Sequence, residues 1–115
     1  MRLLHDPADG DPRPLATEVD LADSLLSQAR GLMFRRSISD GYALVFRFSR
    51  PRTRGLHMVF VPFPIDAVWT VDGRVTRTAR LRPWLGHGRA RADTVIELPS
   101  GAADGVSEGD RVYLD

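Results

Sequence analysis

The sequence contains no cysteine and no lysine. Without cysteine there are no disulfides and no thiolate-bound zinc or iron–sulfur centre. That composition fits a reducing cytoplasm, which is the location expected. Without lysine, all 16 basic residues are arginine. Arginine is always charged, forks onto carboxylates and phosphates, and stacks on aromatic rings. Arginine-only usage can serve anion recognition, or it can reflect a GC-rich genome. The second explanation is favoured, because 15 acidic residues nearly cancel the basic ones and the formal net charge is only +1. A nucleic-acid binder usually shows a larger excess, so nucleic acid is not expected as a partner. No apolar run reaches the length of a membrane-spanning helix, and no membrane partner is expected. The opening MRLLHDPADGDPRP has no apolar core of the kind a secretory signal needs.

Motifs with defined chemistry are also missing. There is no G-x-S-x-G elbow, no H-E-x-x-H pair and no glycine-rich phosphate loop. The three histidines, His5, His57 and His87, are far apart in sequence, and His5 is expected in a mobile terminus. No metal and no cofactor is expected.

What is present is a β-rich pattern. The 115 residues suit one domain. Residues 1–14 read as an irregular segment, because Pro7, Gly10, Pro12 and Pro14 break regular structure. Residues 15–115 read as a single β-rich domain. Leu15–Val19 forms a first strand, and Asp23 or Ser24 caps a short helix ended by Gly31. Tyr42–Phe48 alternates as a half-buried strand. Arg50–Arg54 reads as a basic connector. Leu56–Val61 and Ile65–Val71 read as strands separated by Pro62 and Pro64. Asp72-Gly73 signals a hairpin into Val75–Leu81. Arg82–Ala92 reads as a long loop, Thr94–Leu98 as a strand, Ala102–Val106 as at most one helical turn, and Arg111–Leu114 as the last strand. The expected fold is mainly β, a small jelly-roll-like sandwich or partial barrel with one short helix; a β-rich α+β fold is the alternative.

The run Leu56–Trp69, LHMVFVPFPIDAVW, is the most apolar in the chain and carries a histidine and a carboxylate. Met58, Phe60, Ile65, Val68 and Trp69 are expected to be buried. If Leu56–Phe60 and Ile65–Trp69 pair as a hairpin, His57 and Asp66 become diagonal neighbours on one face. Such a pair can begin an acid–base site. The favoured reading is structural: His57 as a satisfied core or edge histidine, with Asp66 paired with an arginine or capping the Pro62–Pro64 loop. Pairing across Asp72-Gly73 puts Ala79 opposite Asp66 and brings Arg80 and Arg82 to the same end. Trp84 stands among arginines and can stack a planar ligand, or it can plug the end of the sandwich.

Five blocks in fixed order carry a resemblance: ARGLMFR at Ala29–Arg35, ALVFRF at Ala43–Phe48, HM followed by PFPIDAVW at His57–Trp69, DGRV at Asp72–Val75, and IELPSG followed by GDRV at Ile96–Gly101 and Gly109–Val112. Together they resemble the family called domain of unknown function 192, over roughly Val19–Leu114. The resemblance implies a small, mainly β, jelly-roll-like domain and supplies no catalytic residues. It implies that Glu97, in the Glu-Leu-Pro block, holds a turn together. Many members carry Trp-Met-Lys-Asn-Thr where this chain has His57-Met58-Val59-Phe60-Val61, so a role resting on that Lys or Asn cannot be transferred.

The functional expectation is a non-catalytic binding or accessory domain for a small polar or anionic ligand, with His57, Asp66, Arg82 and Trp84 as candidate binding residues. The alternatives are a hydrolase using His57 and Asp66, and weak nucleic-acid contact through Arg50, Arg52 and Arg54. The sequence does not specify oligomeric state.

Overall fold

The computed structural model of the chain describes residues 1–22, 28 and 30–115. These residues form a mainly β structure. The strands are β1 (Leu3–Asp6), β2 (Arg13–Ala16), β3 (Glu18–Ala22), β4 (Tyr42–His57), β5 (Ile65–Val71), β6 (Arg74–Leu81), β7 (His87–Pro99) and β8 (Arg111–Leu114). They make one open sheet in the order β2-β1-β8-β6-β5-β7-β4-β3. Among the described residues β3 and β4 pair in parallel and the other pairs are antiparallel.

Both faces of the central strands are covered, so these strands read as near-continuous apolar runs. Alternate residues feed two cores. One holds Tyr42, Leu44, Phe46, Ile65, Ala67, Trp69 and Val95. The other holds Ala43, Val45, Val68, Ile96 and Leu98, with Leu3 and Val112 from the terminal strands. The two long strands β4 and β7 lose register between Arg47 and Arg52. Beyond that irregularity their distal halves reach Trp69. The buried indole donates from Nε1 to the Arg54 carbonyl at 2.9 Å. Gly88 lies against the same ring, where an added Cβ would stand 3.1 Å from it.

Several expectations need correction. The N-terminal segment is not irregular throughout: Leu3–Asp6 pairs with both β2 and β8. His5 is buried, because its Nε2 lies 2.8 Å from the Asp110 carboxylate. The Arg50–Arg54 connector is part of β4, with Pro51 placed where the ladder is interrupted and its missing N–H is not needed. The loop expected over residues 82–92 is confined to 82–86, since small residues at Gly88, Ala90 and Ala92 let β7 pack closely. The Leu56–Phe60 hairpin with Ile65–Trp69 does not form. The central strand β5 already has two partners, β6 and β7, and His57 pairs in register with His87. Met58, Ile65, Val68 and Trp69 are buried as expected, but Phe60 is 44% exposed. The helix expected from Asp23 or Ser24 lies mostly outside the described residues; Gln28 and Arg30 are helical, and Gly31 follows at φ 53°.

The Asp72-Gly73 hairpin is present, with both residues at positive φ, as a tight turn between twisted strands requires. A bulge between Trp69 and Thr70 then shifts the pairing by one residue. Asp66 consequently faces Arg80, and Ala79 faces Ala67. The extra residue, Thr76, donates from Oγ1 to the Arg91 and Trp69 carbonyls.

Candidate functional site

The four residues singled out in the sequence divide between two places. Three gather at one end of the molecule. His57 closes β4, and its Nδ1 accepts from the Val59 N–H at 3.2 Å. Residues 58–61 are tied to residues 82–86 by Met58 N–H to Gly86 carbonyl and Trp84 N–H to Val61 carbonyl, both 3.0 Å. Arg82 and Trp84 therefore stand near His57, all three exposed. Trp84 is not a plug: it is 52% exposed, in edge contact with Phe60 at 5.8 Å.

Asp66 is elsewhere. It lies on the sheet face opposite Ile65 and Ala67, buried, and all its capacity is used locally. It accepts from Arg80 Nε at 2.9 Å and from the Gly101 and Ala103 N–H groups at 3.0 Å each. Arg80 also bonds Asp104. Asp66 thus fastens the 99–104 turn to the hairpin β5–β6, beside an open cleft of about 250 Å³.

In a cleft that His57 also lines, the structure places a different carboxyl, Glu97. It sits on β7 between Leu44 of β4 and Ala67 of β5, and it is buried. Burial pushes its pKa up to about 8, and the positive charge of Arg35 only partly opposes this. Glu97 and His57 line one cleft of about 80 Å³, with Gln28, Arg30, Gly31 and Phe46. Gly31 has left-handed backbone, and a Cβ there would stand 3.3 Å from Glu97 Oε1, so glycine keeps the carboxyl's surroundings open. Arg35 is anchored above this region. It donates to Tyr42 Oη at 2.9 Å, and Tyr42 donates to Asp20 at 2.9 Å. Burial first, and then the Asp20 hydrogen bond, push the Tyr42 hydroxyl up to about 12.

Reading Glu97 as a turn residue missed this position. The signal was present: a carboxylate inside Val95-Ile96-Glu97-Leu98 on a strand buried on both faces must be neutral or paired. Among the described residues no three His, Asp or Glu side chains converge on a metal-binding geometry. No described helix is long and apolar enough to cross a membrane.

Comparison with known proteins settles the family. The family model of DUF192, described as "Uncharacterized ACR", matches residues 7–114. This chain belongs to the domain of unknown function 192 family. UPF0127 protein PH1112 of Pyrococcus horikoshii is 34% identical over 102 residues, covering 83% of this chain and 85% of that protein. A Sinorhizobium meliloti 1021 structure, described as that of "a putative transcription regulator", superposes with a TM-score of 0.88 at 26% identity, over 97% of this chain and 91% of the other. A protein of unknown function from Novosphingobium aromaticivorans gives a TM-score of 0.85 at 24% identity, over 99% and 84% of the two chains. The last likeness speaks for the fold alone. The DUF192 family is uncharacterised, so chemistry has to be argued from this chain's own residues.

Proposed function

We propose that this DUF192 protein is a non-catalytic binding domain that takes a small anionic ligand, a carboxylate or similar oxyanion, at the Glu97–His57 cleft. The observation that carries this reading is Glu97 itself. With a pKa near 8 its carboxyl is protonated at neutral pH, so it donates a hydrogen bond to an anion instead of repelling it. Arg30 and His57 border the same cleft and add donors. A volume of about 80 Å³ suits a group of few atoms. Arg82 and Trp84, at the same end, belong to the approach.

The hydrolase alternative has less support. Asp66, its intended partner for His57, is committed to Arg80 and two backbone N–H groups. The described residues lining the cleft include no Ser, Thr, Cys or Lys nucleophile. For nucleic acid, Arg50 and Arg52 are exposed, but Arg54 lies over the Phe48 ring at 3.9 Å and donates to the Arg50 carbonyl.

Acetate, which stays ionised from about pH 6 to about pH 9, is a suitable probe, followed by chemical-shift perturbation. Raising the pH from about 6 to about 9 ionises Glu97 and should weaken binding about tenfold. Glu97→Gln keeps a donor and should bind with little pH dependence. Affinity that rises with pH, or shift changes confined to residues away from the cleft, would overturn the reading.

A further inference from the structure

Three connections end in a cluster of exposed apolar side chains. Phe34, Val59, Phe60, Trp84 and Leu85 are 62%, 46%, 44%, 52% and 71% exposed. Phe34 stacks on Phe60 at 4.8 Å, and Phe60 meets Trp84 edge-on at 5.8 Å. The cluster is held by main-chain bonds: Phe34 N–H to Phe60 carbonyl at 2.9 Å and Trp84 N–H to Val61 carbonyl at 3.0 Å. All three aromatics have left-handed backbone, at φ 69°, 60° and 63°. Bulky residues seldom adopt it, and such strain is typical of functional positions.

The surroundings are basic. From Ser24 to Ala92 the sequence holds 13 of its 16 arginines and only three of its 15 acidic residues. Residues 24–39, 41–65 and 73–92, in which Phe34, Phe60 and Trp84 lie, hold no Asp or Glu, although the connection that carries Phe34 also includes Asp23 and Asp40. Arg36, Arg82 and Arg89 are exposed, and among the described residues the arginine ion pairs involve only Arg2 and Arg80. The net charge of +1 therefore conceals a strongly basic central stretch of sequence, and Arg36 and Arg82 lie within two residues of Phe34 and Trp84.

From this arrangement we infer that the Phe34–Phe60–Trp84 tip is a peripheral docking surface for an anionic lipid bilayer. The apolar tips enter the headgroup boundary, and the flanking arginines meet lipid phosphates and carboxylates. Tryptophan and arginine suit that boundary because each joins an apolar body to a polar end. Other occupants fit less well. None of the five side chains lines the clefts at Glu97 or Asp66, so neither cleft gives a peptide a groove continuous with the tip. A second copy docked tip to tip would set arginines against arginines. Nucleic acid would use the aromatics and arginines but not Val59 and Leu85, which have no ring to stack on a base. The inference does not depend on the Glu97 cleft.

The test uses the whole chain and phosphatidylcholine vesicles with and without about 30% phosphatidylglycerol. Of the two tryptophans, Trp69 is fully buried, so a blue shift of emission on binding reports Trp84. Cosedimentation with the anionic vesicles, a blue shift, and release as salt rises from about 0.05 to 0.5 M are expected. Leu85→Ser should weaken partition about tenfold without changing the melting temperature, because Leu85 is exposed. No partition into anionic vesicles at low salt overturns the inference. So does partition that Leu85→Ser leaves unchanged. Trp84 quenching by a single-stranded oligonucleotide without any response to vesicles would assign the surface to nucleic acid, and a dimer broken by Leu85→Ser would assign it to a second copy.

Discussion

Two substitutions separate apolar residues that look equivalent in sequence. Phe60 and Trp69 lie in the same apolar run, yet one is 44% exposed and the other fully buried. Phe60→Ala should cost under about 1 kcal/mol, whereas Trp69→Ala should cost about 3–5 kcal/mol from the lost ring and the cavity left behind. Chemical denaturation of both variants checks the contrast. A third prediction concerns Asp110, whose carboxylate accepts from His5 Nε2 at 2.8 Å and from the Ser107 N–H at 2.9 Å. Among the described residues His5 Nδ1 has no partner, so Asp110→Ala leaves the buried ring without one on either nitrogen. The expected loss is about 3 kcal/mol, read as a fall in the denaturation midpoint.

Among the elements, residues 82–86 form a tight turn that carries Trp84. A Cβ on Gly86 would stand 2.6 Å from the Arg82 nitrogen and 2.7 Å from its carbonyl oxygen. These are backbone atoms and cannot swing aside, so Gly86→Ala should lower the melting temperature and change Trp84 emission together. How much was legible in the sequence follows from such local features. The Asp72-Gly73 hairpin, strand β8 and the burial of Ile65, Val68 and Trp69 were readable, because turn chemistry and apolar pattern agree there. The distal halves of β4 and β7 were not. Arg50–Arg54 looks like a solvated connector, and Gly86-His87-Gly88 looks like a flexible turn. The reason for Gly88 is an indole arriving from a strand 19 residues away, a contact that no local pattern encodes. The His57–Asp66 pairing failed for a related reason: β5 is central, so Leu56–Phe60 had no free edge to join, and the bulge at Trp69–Thr70 moved Arg80 opposite Asp66. His57, Arg82 and Trp84 do share one end of the molecule, although the carboxyl that lines a cleft with His57 is Glu97.

For the whole molecule, two carboxyl groups shape the dependence of stability on pH. The Asp110 pKa is held below its usual 3.8, chiefly by the His5 hydrogen bond. That stability is present above the unfolded pKa and is lost as the pH falls through the lowered one. Glu97 works in the opposite direction. Its folded pKa lies well above the unfolded 4.5, so the folded state binds the extra proton between these values. Its contribution is complete below about 4.5 and declines as the pH rises toward about 8, by up to about 1.4 kcal/mol per pH unit. Stability should therefore peak in mildly acidic solution and fall toward pH 8, and Glu97→Gln should remove most of that decline. Denaturant midpoints across this range check the sign. The claim beneath both this curve and the proposed anion site is that Glu97 is neutral at pH 7. The most direct measurement is an NMR titration of the Glu97 side-chain carboxyl carbon, with and without acetate. The predicted result is a midpoint near 8 that moves higher when acetate binds beside the protonated carboxyl. A midpoint near 4.5, unmoved by acetate, would contradict the account.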